Sequence, residues 1–164
     1  LRSNDVDARF VIAGIASSSG SQVRTFKASL ERRIAELGLS DLVRFADADQ
    51  NRLRMMQGLD YLVSGSLTAM SVGQELLQAM SCGVPVVATA LGASLEVIED
   101  RVNGRLVAPG DVQALSQAVY HTVLTNDLRQ QYIACGRERV CDWYSMDRYV
   151  AAVIRVYDRV MVAR

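Results

Sequence analysis

Apolar and polar residues follow two patterns along this chain, in short apolar runs and in longer amphipathic stretches. The run from Phe10 to Ala13 is short, partly β-branched and closed by Gly14, which is typical of a buried strand in a parallel sheet. Similar runs occur later in the chain, at 42–45, 61–63, 86–88 and 105–107. The pattern therefore predicts five short strands.

Helical periodicity fills the segments between these runs. From Val23 to Leu37 apolar residues recur at spacings of three and four, and Gly38 follows as a helix-ending residue. A short helix is predicted within 50–58, and a longer one runs from about Gly73 to Ser81. Gly83 is placed to cap that longer helix.

The remaining helices lie in the second half of the chain. A short one is predicted over Ser94–Glu99, and Asn103-Gly104 is a strong turn signal before the fifth strand. Asp111 is placed to cap the next helix, another begins at Asn126 or Asp127, and a last helix carries an apolar stripe over 150–161.

Alternation of strands and helices predicts an α/β fold, a doubly wound parallel sheet of the Rossmann-like kind. The chain has 164 residues, of which half are hydrophobic and 22% are charged, so we expect one globular domain over 1–164. In such folds ligands bind beyond the carboxyl ends of the strands.

Charge and cysteine content exclude several classes of function. With 18 basic and 18 acidic residues the formal net charge is zero, so no nucleic-acid partner is expected. Cys82, Cys135 and Cys141 have no spacing that indicates disulfides or a zinc site. No apolar stretch approaches the roughly 20 residues of a transmembrane segment.

Common catalytic motifs do not assign a function to this sequence. Neither a Walker sequence nor the G-x-G-x-x-G fingerprint is present, although the serine-rich loop at 17–21 could offer N–H groups to an anion or could be a solvated loop. Ser64, Ser66 and Ser71 crowd the end of a strand, but no G-x-S-x-G elbow occurs. His121, the only histidine, lies within a predicted helix, which is poor support for a serine hydrolase.

The segment 66–111 carries the most information. A loop leads through Gly73 into a helix whose first turn presents free N–H groups, a site suited to a diphosphate. The strand at 86–88 is followed by small residues up to Gly92 and Ala93, where another helix starts. We expect these two helix starts to face one crevice. The alternative is that Gly73, Gly83 and Gly92 serve only turns and caps.

The same segment resembles the retaining nucleotide-sugar glycosyltransferases of family four, which have two Rossmann-like domains facing a cleft. QAMSCGVPVVAT at 78–89 is similar to the family's Glu-Ala-Met-Ala-Cys-Gly-x-Pro-Val-Val-Ala-Thr. LGASLEV at 91–97 follows x-Gly-Gly-x-x-Glu-Val, and the Val-Asn-Gly and Pro-Gly-Asp turns are also present, at 102–104 and 109–111. Weaker similarity covers nearly the whole chain.

This resemblance implies that the chain is the C-terminal, donor-binding half of such a protein. It would bind a nucleoside diphosphate sugar and transfer a hexosyl group with retention, without a metal ion or other cofactor, to a saccharide or lipid-linked acceptor held by an N-terminal domain. It also implies a cytoplasmic protein, peripheral at most to the inner face of the membrane. The implied donor-binding residues are Met70, Ser71, Val72, Gly73, Glu75, Gln78, Thr89, Gly92 and Ala93.

The chain departs from the family at two positions. Where the family has two glutamates, one near the donor sugar and one on the ribose, this chain has Met70 and Gln78. Gln78 can still accept and donate hydrogen bonds, whereas the thioether of Met70 cannot stabilise a cationic transition state. Glu75 is the nearest carboxylate, and Glu96 is placed to hold the loop over 92–95 by accepting N–H groups.

A further departure lies before residue 1. The resemblance begins after the family's first strand, whose loop supplies an Arg and a Lys, and we expect a longer natural protein. In the strand order 3-2-1-4-5-6 that strand is central, so two strand edges should lack partners here.

Two alternatives to an active transferase remain open. Met70 and Gln78 favour a catalytically inactive, glycosyltransferase-like binding subunit. A stand-alone flavodoxin-like or regulator domain would instead have a complete sheet without any upstream sequence.

Overall fold

The computed structural model describes residues 7–14, 20–46, 52–68 and 73–162, apart from the side chains of Gln22 and Val162. Strands and helices alternate along these residues, and three helices end the chain, as the sequence predicts. In chain order the elements are β1 (Phe10–Ala13), α1 (Ser21–Glu36), β2 (Val43–Ala46), α2 (Arg52–Gln57), β3 (Leu62–Ser64), α3 (Gln74–Ser81), β4 (Val86–Thr89), α4 (Ser94–Val97), β5 (Arg105–Val107), α5 (Val112–Leu124), α6 (Asn126–Trp143) and α7 (Met146–Val162).

The chain divides into two compact units, residues 1–55 and 56–164. In the first unit β1 and β2 pair in parallel, from Phe10 opposite Val43 to Ala13 opposite Ala46, with α1 as the crossover. Gly38 ends α1 as predicted. Its φ is 65°, its N–H donates to the Ala35 carbonyl, and the next N–H donates to Ile34.

The second unit has a parallel sheet in the order β3-β4-β5. All four residues of the central strand β4 are buried, which explains its nearly uninterrupted apolar sequence. Leu76, Ala79 and Met80 of α3 pack into the same core as β4. Since all three strands run in one direction, the ends of β3 and β4, at Ser64 and Thr89, lie at one edge of the sheet.

Four of the five strands in the described part of the chain have one unpaired edge. β1 and β2 pair only with each other, and β3 and β5 pair only with β4, so unpaired edges of the kind the sequence predicts are present, although they are not confined to two strands. The fold is thus mixed α/β with parallel sheets of the Rossmann-like kind.

The cap predictions for α3 and α5 are confirmed. Gly83 has a φ of 76° and its N–H donates to the Met80 carbonyl, while a Cβ at this position would collide with the guanidinium of Arg137. The carboxylate of Asp111 accepts the N–H of Ala114 at 2.8 Å. Each of these two caps bonds to a residue only three positions away in the sequence, so it could be predicted from the local sequence.

Candidate functional site

A recess lies where β3 and β4 end and α3 and α4 begin. Its lining includes Ser64 at the end of β3, Ser66 in the loop that follows, Thr89 at the end of β4, and Gly73 and Glu75 at the start of α3. The space enclosed by the described residues is about 10 Å³, which is barely enough for one water molecule. These residues therefore form a shallow surface rather than an enclosed pocket, at the sheet edge where the fold predicts a ligand.

The two helix starts that the sequence predicts at this surface are neighbours. Gly73 precedes α3 with a φ of 57°, and a Cβ built on it would lie 3.1 Å from the Cβ of Ala93. Gly73 is buried, and Ala93 is only 8% exposed. Because Gly73 has no side chain, the loop of Gly92 and Ala93 can approach α3 this closely.

Backbone donors are concentrated at this junction. The N–H groups of Gln74 and Glu75 in α3, and of Gly92 and Ala93 before α4, donate to no described residue. Donors of this kind at the start of a helix bind anions. α4 has only four residues, so its helix dipole is small, and it contributes individual N–H groups rather than a second full helix end.

Ser94 holds the loop that joins β4 to α4. Its hydroxyl lies 2.6 Å from the Thr89 carbonyl oxygen as donor, and accepts the N–H of Leu91 at 2.9 Å. The prediction that Glu96 holds this loop is wrong: Glu96 is exposed, and its side chain makes no hydrogen bond to a described residue. A short buried hydroxyl reaches the loop carbonyls from inside the turn, whereas the Glu96 side chain points to solvent.

The far end of α4 is fixed by the Asn103-Gly104 turn. Asn103 is 3% exposed, accepts the N–H of Glu99 at 2.9 Å and donates to the Val97 carbonyl at 3.3 Å. A Cβ on Gly104 would lie 3.0 Å from the Val86 carbonyl oxygen. The two Asn103 hydrogen bonds hold the chain where the helix ends, at Val97, two residues earlier than the sequence predicts.

Thr89 fixes the other side of the recess. The residue is buried, and its hydroxyl donates to the Ser66 carbonyl at 2.7 Å. Thr89 thereby ties the loop after β3 to the end of β4, and a donor-binding role for it stays a prediction.

Gln78 presents an unpaired polar atom. It is half-buried on α3, its carbonyl oxygen Oε1 is inaccessible to solvent, and this atom has no hydrogen-bond partner among the described residues. Glu75, one turn earlier, is half-buried in the recess and forms no ion pair with a described residue. Buried acceptors are normally satisfied, so an unpaired one marks a place where a donor is missing.

The other predicted donor-binding residues, Met70, Ser71 and Val72, lie outside the described residues, as does most of the serine-rich loop at 17–21. Of the predicted set the structure brings together Gly73, Glu75, Thr89, Gly92 and Ala93 around the recess, and places Gln78 on the same helix. Sequence reasoning missed Ser94. A serine just before the first apolar turn of a helix was the available signal.

The structure gives no support to a serine hydrolase. Ser64 and Ser66 line the recess, whereas His121 lies on α5 and lines a separate cavity. Among the described residues no group of three or more His, Cys, Asp or Glu side chains is placed to hold a metal ion. No helix in the described part of the chain combines the length and apolar character of a membrane span.

Comparison with known proteins identifies the family of this chain. Residues 1–125 match the family described as Glycosyl transferases group 1. A phosphatidyl-myo-inositol mannosyltransferase of Mycobacterium leprae (strain TN) is 31% identical over 156 residues, which are 94% of this chain and 38% of that protein. The chain thus spans about two fifths of the length of this relative.

Solved glycosyltransferases share the fold. A glycosyltransferase from Rickettsia africae ESF-5 superposes with a TM-score of 0.87 at 20% identity, over 98% of this chain and 42% of that one. Anabaena Alr3699/HepE, determined in complex with UDP, has a TM-score of 0.78 at 22% identity, over 91% of this chain and 41% of its own. With a parallel α/β fold, adjacent helix starts at Gly73 and Ala93, and a family match over most of its length, this chain belongs to the group 1 glycosyl transferases.

Proposed function

We propose that this chain is the donor-binding, C-terminal half of a glycosyltransferase. It would bind a nucleoside diphosphate sugar beside the recess, through Gly73, Gln78, Gly92 and Ala93. The diphosphate would lie against the N–H groups at the starts of α3 and α4. Met70, Ser71, Val72, Glu75 and Thr89 complete the proposed donor-binding set. The acceptor-binding half would be an N-terminal domain outside this chain.

The unpaired Oε1 of Gln78 is the observation that supports this proposal most. A buried acceptor without a donor costs free energy of about 1–3 kcal/mol. Oε1 is closed off from solvent in this structure, so on donor binding the Gln78 side chain would turn toward the recess; a ribose hydroxyl would then supply the donor that Oε1 needs, and the amide N–H could donate in return. The N–H groups one helical turn earlier suit the diphosphate attached to that ribose.

The chemistry we propose is hexosyl transfer with retention at the anomeric carbon to a saccharide or lipid-linked acceptor. As the glycosidic bond to the diphosphate breaks, negative charge grows on the leaving phosphate. The N–H donors are held in place by α3 and by the loop that Ser94 bonds to, so they would stabilise that charge without first having to move. We expect no metal requirement, so activity should persist in EDTA. This function agrees with a cytoplasmic protein.

A transfer assay on the natural full-length protein tests this proposal. The protein is incubated with UDP-, GDP- and ADP-sugars, and release of the nucleoside diphosphate is followed with and without saccharide acceptors. We expect release from one nucleotide class, and binding of the same nucleotide in calorimetry. If none of the three classes binds, the proposed function is wrong.

A catalytically inactive binding subunit is the second candidate, and the sequence at positions 70 and 78 favours it. Met70 and Gln78 stand where the family has glutamates, so carboxylates that would assist transfer are missing. Nucleotide binding without turnover in the natural protein, with turnover gained in Met70→Glu, would establish this candidate. Turnover by the natural protein, equal in Met70→Leu, would eliminate it.

A further inference from the structure

The carbonyl of Glu96, on the short helix α4, is bound by two side chains that follow it by 43 and 48 residues in the sequence. Nη2 of Arg139 donates to this oxygen at 2.8 Å, and the hydroxyl of Tyr144 donates to it at 3.0 Å. Arg139 lies near the end of α6, and Tyr144 immediately follows that helix. The two donors therefore tie α4 to the end of α6, within the unit of residues 56–164.

Aromatic rings hold the guanidinium of Arg139 in place. Its central carbon lies 5.2 Å from the centroid of the Trp143 ring and 5.9 Å from that of the Tyr144 ring, which are cation–π distances. Arg148 of α7 lies 5.6 Å from the same Trp143 ring. In the described part of the chain the Glu96 carbonyl is the one hydrogen-bond acceptor of Arg139. The end of α6 thus presents two donors whose positions are fixed by packing.

Glu96 also bonds to the loop that precedes α4. Its N–H donates to the Ala93 carbonyl at 3.1 Å, while the N–H groups of Gly92 and Ala93 donate to no described residue. Ser94 holds the other side of the same turn. A single helical turn is not stable by itself, so its geometry depends on contacts of this kind. The position of Ala93 therefore depends on how firmly Glu96 is held.

We propose that Arg139 and Tyr144 are positioning residues of the donor site. By binding the Glu96 carbonyl they fix the N–H groups of Gly92 and Ala93, which hold the diphosphate in the proposed function on which this inference rests. Neither Arg139 nor Tyr144 lines the recess, so both act through α4 rather than by touching the nucleotide. Donors that are already in place bind more tightly, because no free energy is spent on ordering them.

A purely structural role is the alternative, and Tyr61 provides the matched comparison. The Tyr61 hydroxyl donates to the Thr122 carbonyl, in the last turn of α5, at 3.1 Å. The guanidinium of Arg129 lies 5.7 Å from the Tyr61 ring. Tyr61 and Tyr144 are both half-buried and make the same kinds of contact, but α5 does not line the recess. The two tyrosines therefore differ in which helix they hold.

Nucleotide binding by Tyr144→Phe and Tyr61→Phe, each made in the natural full-length protein, tests the proposal. UDP, GDP and ADP are titrated by calorimetry, and urea unfolding measures the stability. Each variant loses one hydrogen bond, so we expect both to unfold at a lower urea concentration, by similar amounts. Affinity for the nucleotide should fall about fivefold in Tyr144→Phe and stay unchanged in Tyr61→Phe. Unchanged affinity in Tyr144→Phe, or equal losses in the two variants, would overturn the proposal.

A double variant tests whether Tyr144 acts on the loop that Ser94 holds. If both residues fix the same N–H groups, the affinity loss in Tyr144→Phe with Ser94→Ala should be smaller than the product of the two single losses. Losses that multiply would show that Tyr144 acts elsewhere, and would overturn the proposal.

Failure of this inference is distinguishable from failure of the proposed function. If the natural protein binds none of UDP, GDP and ADP, both are wrong. If it binds one of them and Arg139→Met and Tyr144→Phe bind it equally well, only the positioning role is wrong. We expect Arg139→Met to weaken binding at least as much as Tyr144→Phe, because it removes the other donor to the Glu96 carbonyl.

Discussion

Gly73 and Ala93 bring the start of α3 and the loop before α4 into direct contact. A Cβ on Gly73 would lie 3.1 Å from the Cβ of Ala93 and 3.5 Å from Cδ1 of Leu76. Four backbone N–H groups without described acceptors surround this contact. The proposed binding surface thus depends on the absence of one side chain.

We expect Gly73→Ala to lower both stability and nucleotide affinity. The positive φ alone should cost about 1–2 kcal/mol, and the close contact with Ala93 adds to this. Urea unfolding measures the stability, and calorimetric titration with UDP measures the affinity.

Gly110→Ala is the matched control for this prediction. Gly110 also has a positive φ, of 78°, but nothing lies within 4 Å of a Cβ built there. We expect a similar backbone cost and unchanged UDP affinity. Equal UDP affinity in both variants would show that the Gly73–Ala93 contact does not shape the nucleotide site.

We expect Gln78→Met to lower UDP affinity without lowering the free energy of unfolding. Removing a buried, unpaired amide should leave the free energy of unfolding equal or higher, because no hydrogen bond is lost. UDP affinity should fall by about tenfold, since the ribose hydroxyl loses its acceptor.

Gln74→Met serves as the control for Gln78→Met. Gln74 is exposed at the first position of the same helix, so its side chain should matter for neither property. A loss of stability in Gln78→Met with no change in UDP affinity would mean that Gln78 has only a structural role.

We expect Ser94→Ala to lower the free energy of unfolding, because Ser94 holds the loop between β4 and α4. The variant loses the bonds to Thr89 and Leu91 inside a buried turn, which should cost about 1–3 kcal/mol. UDP affinity should fall as well. Ser81→Ala removes an exposed hydroxyl that donates to the Gln78 carbonyl, and we expect less than about 0.5 kcal/mol there. Equal losses in the two variants would contradict a special role for Ser94.

Stability should depend on pH through Asp100. Burial would raise the pKa of Asp100, but the N–H of Leu106 and the guanidinium of Arg105 outweigh it and hold this pKa below its ordinary value of about 4. A carboxylate with a lowered folded-state pKa stabilises the fold above its unfolded pKa, and this contribution is lost as the pH falls through the folded pKa.

Asp100→Asn should therefore be less stable than the natural protein at pH 7, and the difference should shrink below about pH 4. Urea unfolding at a series of pH values measures this. Asp142→Asn, at an exposed position without an ion pair to a described residue, is the control, and we expect it to be as stable as the natural protein at pH 7. A constant difference across the series for Asp100→Asn would contradict the assignment.

The order and type of the elements could be predicted from the sequence because their causes are local. Periodicity gives the helices and strands, and Gly38 and Gly83 end helices through a positive φ that glycine adopts freely. The second strand is predicted at 42–45 and lies at Val43–Ala46. Such shifts arise because the partner strand, rather than the apolar run itself, decides which residues pair.

The features of the site that depend on distant residues could not be predicted. Glu96 was expected to hold the loop, yet Ser94 does so because its hydroxyl is buried against Thr89. The orphan oxygen of Gln78 depends on which side chains cover it, and the two hydrogen bonds to the Glu96 carbonyl come from side chains 43 and 48 residues further along the chain. No short sequence motif encodes these relationships.

A crystal structure of the natural full-length protein with bound UDP tests the central claim most directly. The account predicts a ribose hydroxyl within hydrogen-bond distance of Gln78 Oε1 and phosphate oxygens against the N–H groups beside Gly73 and Ala93. A UDP molecule bound elsewhere, with Gln78 Oε1 still unpaired, would contradict it.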